Sequence, residues 1–121
     1  MLDVGCGSGI LSIIGAKLGA DTVFGTDIDP NAVNSAYENA EVNHISKDVL
    51  TIMSGDIISD ETIQKQAGFQ CYDVVVANIL ADVIIPLSAE IGKHMKSGGI
   101  FISSGIINMK KEKVKEAILK N

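Results

Sequence analysis

The chain has 121 residues, enough for one domain of ordinary size. Hydrophobic residues make up 46% and charged residues 21%, a globular balance that excludes a disordered chain. Formal net charge is −5 and all ten basic residues are lysines, so the arginine forks that clamp phosphates and read guanine are absent and direct nucleic-acid binding is not expected.

The first four residues read as a short buried strand running into Gly5-Cys6-Gly7-Ser8-Gly9. The spacing of Ile10, Leu11, Ile14 and Leu18 predicts a helix from about Ser8 to Leu18 with those residues on its apolar face, closed by Gly19. Thr22 to Thr26 reads as a second strand, followed by Asp27-Ile28-Asp29-Pro30. Asp29 before Pro30 is a helix-start signature, and the helix should reach about Val42, burying Val33, Ala36, Tyr37 and Ala40. A third strand, about Leu50 to Ser54, leads into Gly55-Asp56. Residues 59–70 read as a loop, with or without a short helix. Tyr72 to Ala77 carries Val74, Val75 and Val76 in a row, as a strand covered on both faces should. A helix from about Asp82 to Met95 follows, with Ile84, Leu87, Ile91 and Met95 inward, broken by Gly98-Gly99 before a fifth strand, Ile100 to Ser103. The last segment carries Lys110, Lys111, Lys113, Lys115 and Lys120 and reads as a final helix burying Val114 and Ile118. This alternation predicts the α/β class, an open, doubly wound, mostly parallel sheet in one domain over residues 1–121.

Outside its last twelve residues the chain carries a net charge of −8, which repels a phosphate backbone and suits a cationic ligand or a solubilising surface equally. Two cysteines, Cys6 and Cys71, without a C-x-x-C pair, and two histidines, His44 and His94, predict neither a disulfide framework nor a metal site. No apolar run approaches the roughly 20 residues of a membrane span, and no leader opens the chain, so a cytoplasmic protein is expected.

In open α/β sheets ligands sit beyond the carboxyl ends of the strands. Beyond the four successive ends lie the glycine loop, Asp27, Asp56 and Asn78, and their convergence outweighs any one of them. The loop glycines Gly5, Gly7 and Gly9 let a ligand approach the backbone, although a tight turn alone would also use them. A dinucleotide fingerprint needs glycine where Ile10 stands, which argues against a nicotinamide-dependent oxidoreductase. Asp3, two residues before Gly5, opposes a pyrophosphate and pairs well with an ammonium or sulfonium. Asp27, 22 residues beyond Gly5, is placed to accept both hydroxyls of a ribose. Asp56 is placed to meet a ligand base, or is ordinary turn chemistry. Ile28 and Ile57 are placed to sandwich a flat ring, or belong to the core. Asn78 ends a buried strand, where its amide either caps the next turn or holds an acceptor amine beside the donor.

Leu2-Asp3-Val4-Gly5-Cys6-Gly7-Ser8-Gly9 resembles motif I of class I AdoMet-dependent methyltransferases, and Gly25-Thr26-Asp27-Ile28-Asp29-Pro30 resembles their second-strand acidic motif. Amine-methylating relatives usually carry Asn-Pro-Pro-aromatic where this chain has Asn78-Ile79-Leu80-Ala81. That departure, with Gly98-Gly99 and Ser104-Gly105-Ile106, is similar to the ribosomal protein L11 methyltransferase (PrmA) family. The resemblance implies AdoMet as methyl donor and lysine or N-terminal amines of ribosomal protein L11 as acceptors, with no metal. It places Gly5, Cys6, Gly7 and Gly9 at the methionine part and Asp27 at the ribose. Asp56 falls at the adenine and Asn78 at the reacting centre. Family members carry an upstream recognition domain and a closing antiparallel hairpin, so this chain resembles a catalytic core truncated at both ends, with a fifth-strand edge open to self-association. An AdoMet-binding module inactive in isolation, or a methyltransferase of another amine, fits the same motifs.

Overall fold

The computed structural model describes residues 1–79 and 81–104. Nine elements alternate along them: β1 (Leu2–Val4), α1 (Ile10–Lys17), β2 (Val23–Asp27), α2 (Pro30–Val42), β3 (Leu50–Ser54), α3 (Glu61–Ala67), β4 (Tyr72–Asn78), α4 (Ala81–Ile91) and β5 (Met95–Ser104). The strands form one sheet in the order β3-β2-β1-β4-β5, and every pairing is parallel. The α/β expectation holds, and among the described residues the sheet is all-parallel. The lysine-rich segment with Val114 and Ile118, the Gly105-Ile106 pair and any closing hairpin lie outside the described residues. Among the described residues no helix is long and apolar enough to cross a membrane.

Strand alternation sends successive side chains to opposite faces, and two cores result. On one face Leu2, Val4, Phe24, Val75 and Ala77 pack against Ile63 and Ala67 of α3 and Leu87 and Ile91 of α4. On the other, Val23, Leu50 and Ile52 pack against Ile13 of α1 and Ala36 and Ala40 of α2. α2 starts where Asp29 accepts the Asn31 N–H at 2.9 Å and Pro30 takes the first turn, as expected from the sequence. Tyr37 ties α2 to β3, its hydroxyl accepting from the Ile52 N–H at 2.7 Å and donating to the Ile52 carbonyl at 3.1 Å.

Two expectations need correction. Ile10, Ile14 and Leu18 do not face the core: they are 62%, 48% and 83% exposed, and Ser12 and Ile13 are buried instead. Nearly every position of α1 is apolar, so periodicity alone selects no face. A buried carboxylate needs a donor, and turning Ser12 toward Asp3 rotates the isoleucine stripe outward. Residues 59–70 hold the short helix that the sequence allowed, α3, capped by Asp60, whose carboxylate accepts from the Thr62 N–H at 2.9 Å. Finally, α4 buries Ile84, Leu87 and Ile91 but stops at Ile91, where Gly92 follows. Met95 opens β5 opposite Tyr72, and Gly98-Gly99 sits in an irregularity of that strand rather than at a helix end, since Val74 pairs with Ile100. A Cβ on Gly99 would lie 3.1 Å from the Tyr72 carbonyl oxygen, a tight contact, so a side chain there would push the two backbones apart.

Candidate functional site

The order of the strands reverses at β1, with β2 on one side and β4 on the other, which is where a doubly wound sheet binds ligands. The strand ends are level there. Val4 is opposite both Thr26 and Ala77, and Asp27 is opposite Ser54. One step further along each strand brings Gly5, Asp27, Asn78 and Gly55 to the same rim.

The glycine loop is anchored to β2, since the N–H groups of Gly5 and Cys6 both donate to the Thr26 carbonyl, at 2.8 and 2.9 Å. Gly7 has φ 54 and open space where a side chain would stand, and its N–H donates to Asp27 Oδ2 at 2.9 Å. Gly9 has φ 86, and a Cβ there would stand 3.1 Å from the Cβ of Ala36, so this glycine lets α1 and α2 approach. Asp27 Oδ1 accepts the Asp29 N–H at 2.9 Å. A carboxylate offers about four acceptor positions. Two are used here by backbone, and the rest are open to a diol.

Val4, Gly5, Asp27, Asp56, Ile57 and Ile79 line an apolar crevice at this rim, together with Ile28, Ile58 and Val83. Its enclosed volume is about 50 Å³, against roughly 300–1,000 Å³ for a site that swallows a small molecule. The Ile79 side chain stands where a Gly5 side chain would be, so only glycine at position 5 lets the two pack at the crevice. A larger cavity of about 470 Å³ lies between α2 and β3, lined by Tyr37, Glu38, Glu41 and Lys47. It collects no strand end and no glycine loop, so the smaller crevice is the better candidate.

The structure brings together Gly5, Asp27, Ile28, Asp56 and Ile57. Ile57 is buried and Ile28 is 70% exposed, so they bound the crevice from the core and from solvent. Asp56 Oδ1 accepts the Ile58 N–H at 2.9 Å, which shapes the loop after β3. Asn78 is exposed at the tip of β4, level with Ser104, outside the crevice lining. Asp3 and Cys6 lie beneath the loop. Cys6 packs into the α2-side core, and burial pushes its thiol up to about 12, so it is an inert thiol. Asp3 is 1% exposed and accepts from Ser12 Oγ at 2.7 Å. Burial pushes its carboxyl up to about 6, with Asp27 adding to the rise and Ser12 opposing it. Ser12, Ile58, Ile79 and Val83 were not singled out from the sequence. Ile58 and Ile79 directly follow expected site residues, and that adjacency is the signal that would have found them.

Residues 1–121 match the family model described as ribosomal protein L11 methyltransferase (PrmA). The chain belongs to this family. It is 54% identical over 121 residues to the ribosomal protein L11 methyltransferase of Lachnospira eligens, covering all of this chain and 38% of that relative. The counterpart from Lachnoclostridium phytofermentans is also 54% identical, with 40% of it covered, so the chain spans about two fifths of these family members. The crystal structure of ribosomal protein L11 methylase from Lactobacillus delbrueckii subsp. bulgaricus superposes with a TM-score of 0.86 at 34% identity, over 98% of this chain and 57% of that one. A putative S-adenosyl-L-methionine-dependent methyltransferase from Methanococcus maripaludis shares the fold, with a TM-score of 0.69 at 23% identity over 99% of this chain and 55% of that one.

Proposed function

We propose that this chain is the AdoMet-binding core of a cytoplasmic protein N-methyltransferase acting on lysine and N-terminal amines of ribosomal protein L11. The observation that carries the reading is Asp27. It stands at the switch point with two acceptor positions used by the Gly7 and Asp29 N–H groups and the others free, beside an apolar crevice suited to a flat ring. Ribose hydroxyls donate to Asp27, the loop after β3 with Asp56 and Ile57 holds the base, and the glycine loop carries the methionine part over Asp3. Bound there, AdoMet supplies a methyl carbon already activated by its sulfonium. The protein aligns the partners and excludes water. Asn78, at the exposed tip of β4, receives the acceptor amine.

Titration calorimetry with AdoMet and NAD in parallel tests the donor site, with binding of AdoMet alone as the expected result. NAD binding in preference would refute it. Transfer of labelled methyl from AdoMet to intact L11 then tests the activity. Donor binding without transfer would assign catalysis to the portion of the relatives outside the matched region. Within an active protein, Asn78→Ala should lower transfer more than donor affinity, and an undiminished rate would remove Asn78 from the reacting centre.

A further inference from the structure

A polar cluster is enclosed between α3 and α4. Gln64, in the middle of α3, directs its Nε2 at three acceptors: the Ile57 carbonyl at 2.9 Å, the Ile58 carbonyl at 3.2 Å and Glu90 Oε1 at 3.3 Å. The side-chain oxygen in that position would face three oxygens, so the orientation of the amide is settled by its surroundings. Glu90 is buried, and it also takes Lys93 Nζ at 3.2 Å and His94 Nε2 at 2.9 Å. His94 is fully buried, its Nδ1 is 2.5 Å from the Gly68 carbonyl oxygen, and Phe69 stacks on its ring at 5.1 Å. The cluster thus ends on one side at a fixed imidazole and on the other at the two carbonyls of the loop that walls the crevice.

We infer that Gln64 is a positioning residue, holding the Ile57 and Ile58 carbonyls so that the loop after β3 presents its apolar wall to the donor, with Glu90 and His94 holding the Gln64 amide in turn. The inference rests on the donor site proposed above. Backbone bonds tie the ends of the loop, Gly55 N–H to the Asp27 carbonyl at 2.8 Å and Asp60 N–H to the Asp56 carbonyl at 2.8 Å, and two side chains hold its middle. Asp56 gathers the Ile58 N–H from within, and Gln64 gathers the carbonyls from outside. With the second gone, two carbonyls and a buried carboxylate oxygen lose a donor and turn toward water, and the wall turns with them.

Two substitutions test this. Gln64→Met keeps the length and the helix but donates nothing. Gln64→Glu keeps the shape and replaces the donor by an acceptor. Gln64→Met should weaken AdoMet binding about tenfold, as loss of roughly one hydrogen bond's worth of order implies, and should speed amide hydrogen exchange at Ile58 and Ser59 without ligand. Gln64→Glu should weaken binding more at about pH 8 than at about pH 4, where its carboxyl, beside Glu90 and two carbonyls, is protonated and donates again. The other titratable groups near this position are Glu90, Lys93, His94, Asp56 and Asp60. All are common to both proteins, so the ratio of variant to parent affinity isolates position 64. Wild-type affinity and exchange in Gln64→Met would overturn the inference while leaving the donor site standing. Absence of AdoMet binding in the parent would overturn both. Should Gln64→Met not fold, Gln64→Glu carries the test through its pH-dependent ratio, and a ratio flat with pH would refute the positioning role.

Discussion

Asp3→Asn should make the protein more stable at neutral pH, and by an amount that depends on pH. Asp3 is 1% exposed, and its side-chain donor is the Ser12 hydroxyl at 2.7 Å. Burial raises its carboxyl from 3.8 to about 6, which means the folded protein holds that proton more tightly than the unfolded chain does. Between those values the native state binds a proton that the unfolded state has released, so stability falls as pH rises through the window. A rise of about 2 units at 1.36 kcal/mol per unit gives a penalty of roughly 3 kcal/mol above the folded value, absent below the unfolded one. The substituted amide carries no charge and keeps a polar group against Ser12, so about 1–3 kcal/mol should return at about pH 8. Urea unfolding followed by far-ultraviolet circular dichroism in steps from about pH 4 to 8 measures it, with the parent and variant curves converging toward the acid end. A variant less stable at about pH 8, or a difference constant across the range, would refute the reasoning.

Asp27→Ala should weaken AdoMet binding by about 1–3 kcal/mol in calorimetry, through loss of charge-assisted hydrogen bonds to the ribose and of the Gly7 anchor. Unchanged affinity in a folded variant would make the ribose assignment wrong. Gly7→Ala and Gly9→Ala form a matched pair. Both positions have left-handed φ, costing roughly 1–2 kcal/mol each, but only Gly9 also meets Ala36, at 3.1 Å. Thermal melts should therefore show the larger loss at Gly9, and equal losses would mean α1 and α2 give way at that contact.

Much of the fold was legible because local signals and global topology agree. α2 runs from Pro30 to Val42 as expected, since Asp29 and Pro30 mark its start without reference to anything distant. β3 was equally plain. The misreadings came where a tertiary partner decides. The face of α1 depends on Ser12 answering Asp3, and the end of α4 depends on Met95 pairing with Tyr72; neither partner is adjacent in sequence. α3 was legible in principle: Asp60, then Ile63 and Ala67 four apart, then Gly68, is a capped helical turn. At the site, Gly5, Asp27 and Asp56 converge as their strand-end positions require. Asp3 and Cys6 show the limit of that reasoning, because a motif fixes spacing along the chain and not which side of the loop a side chain occupies.

The costs in this fold gather at the crevice. A carboxyl is enclosed with only Ser12 for a donor, three loop glycines take left-handed backbone, and Ile79 packs directly on Gly5. Each is a local departure from what stability alone favours, and such departures cluster where a protein is shaped for something other than its own folding. The departures are also of one kind. A buried acid whose proton is held too tightly is relieved by a nearby cation, a loop of bare backbone admits close approach, and Ile79 with Ile57 gives the crevice an apolar wall for something flat. A neutral or anionic ligand would leave the Asp3 penalty in place. A cation with a sugar and a flat ring answers the acid, the Asp27 acceptors and the apolar slot together, so AdoMet should protect the parent against urea more than it protects Asp3→Asn, and equal protection would detach Asp3 from the donor.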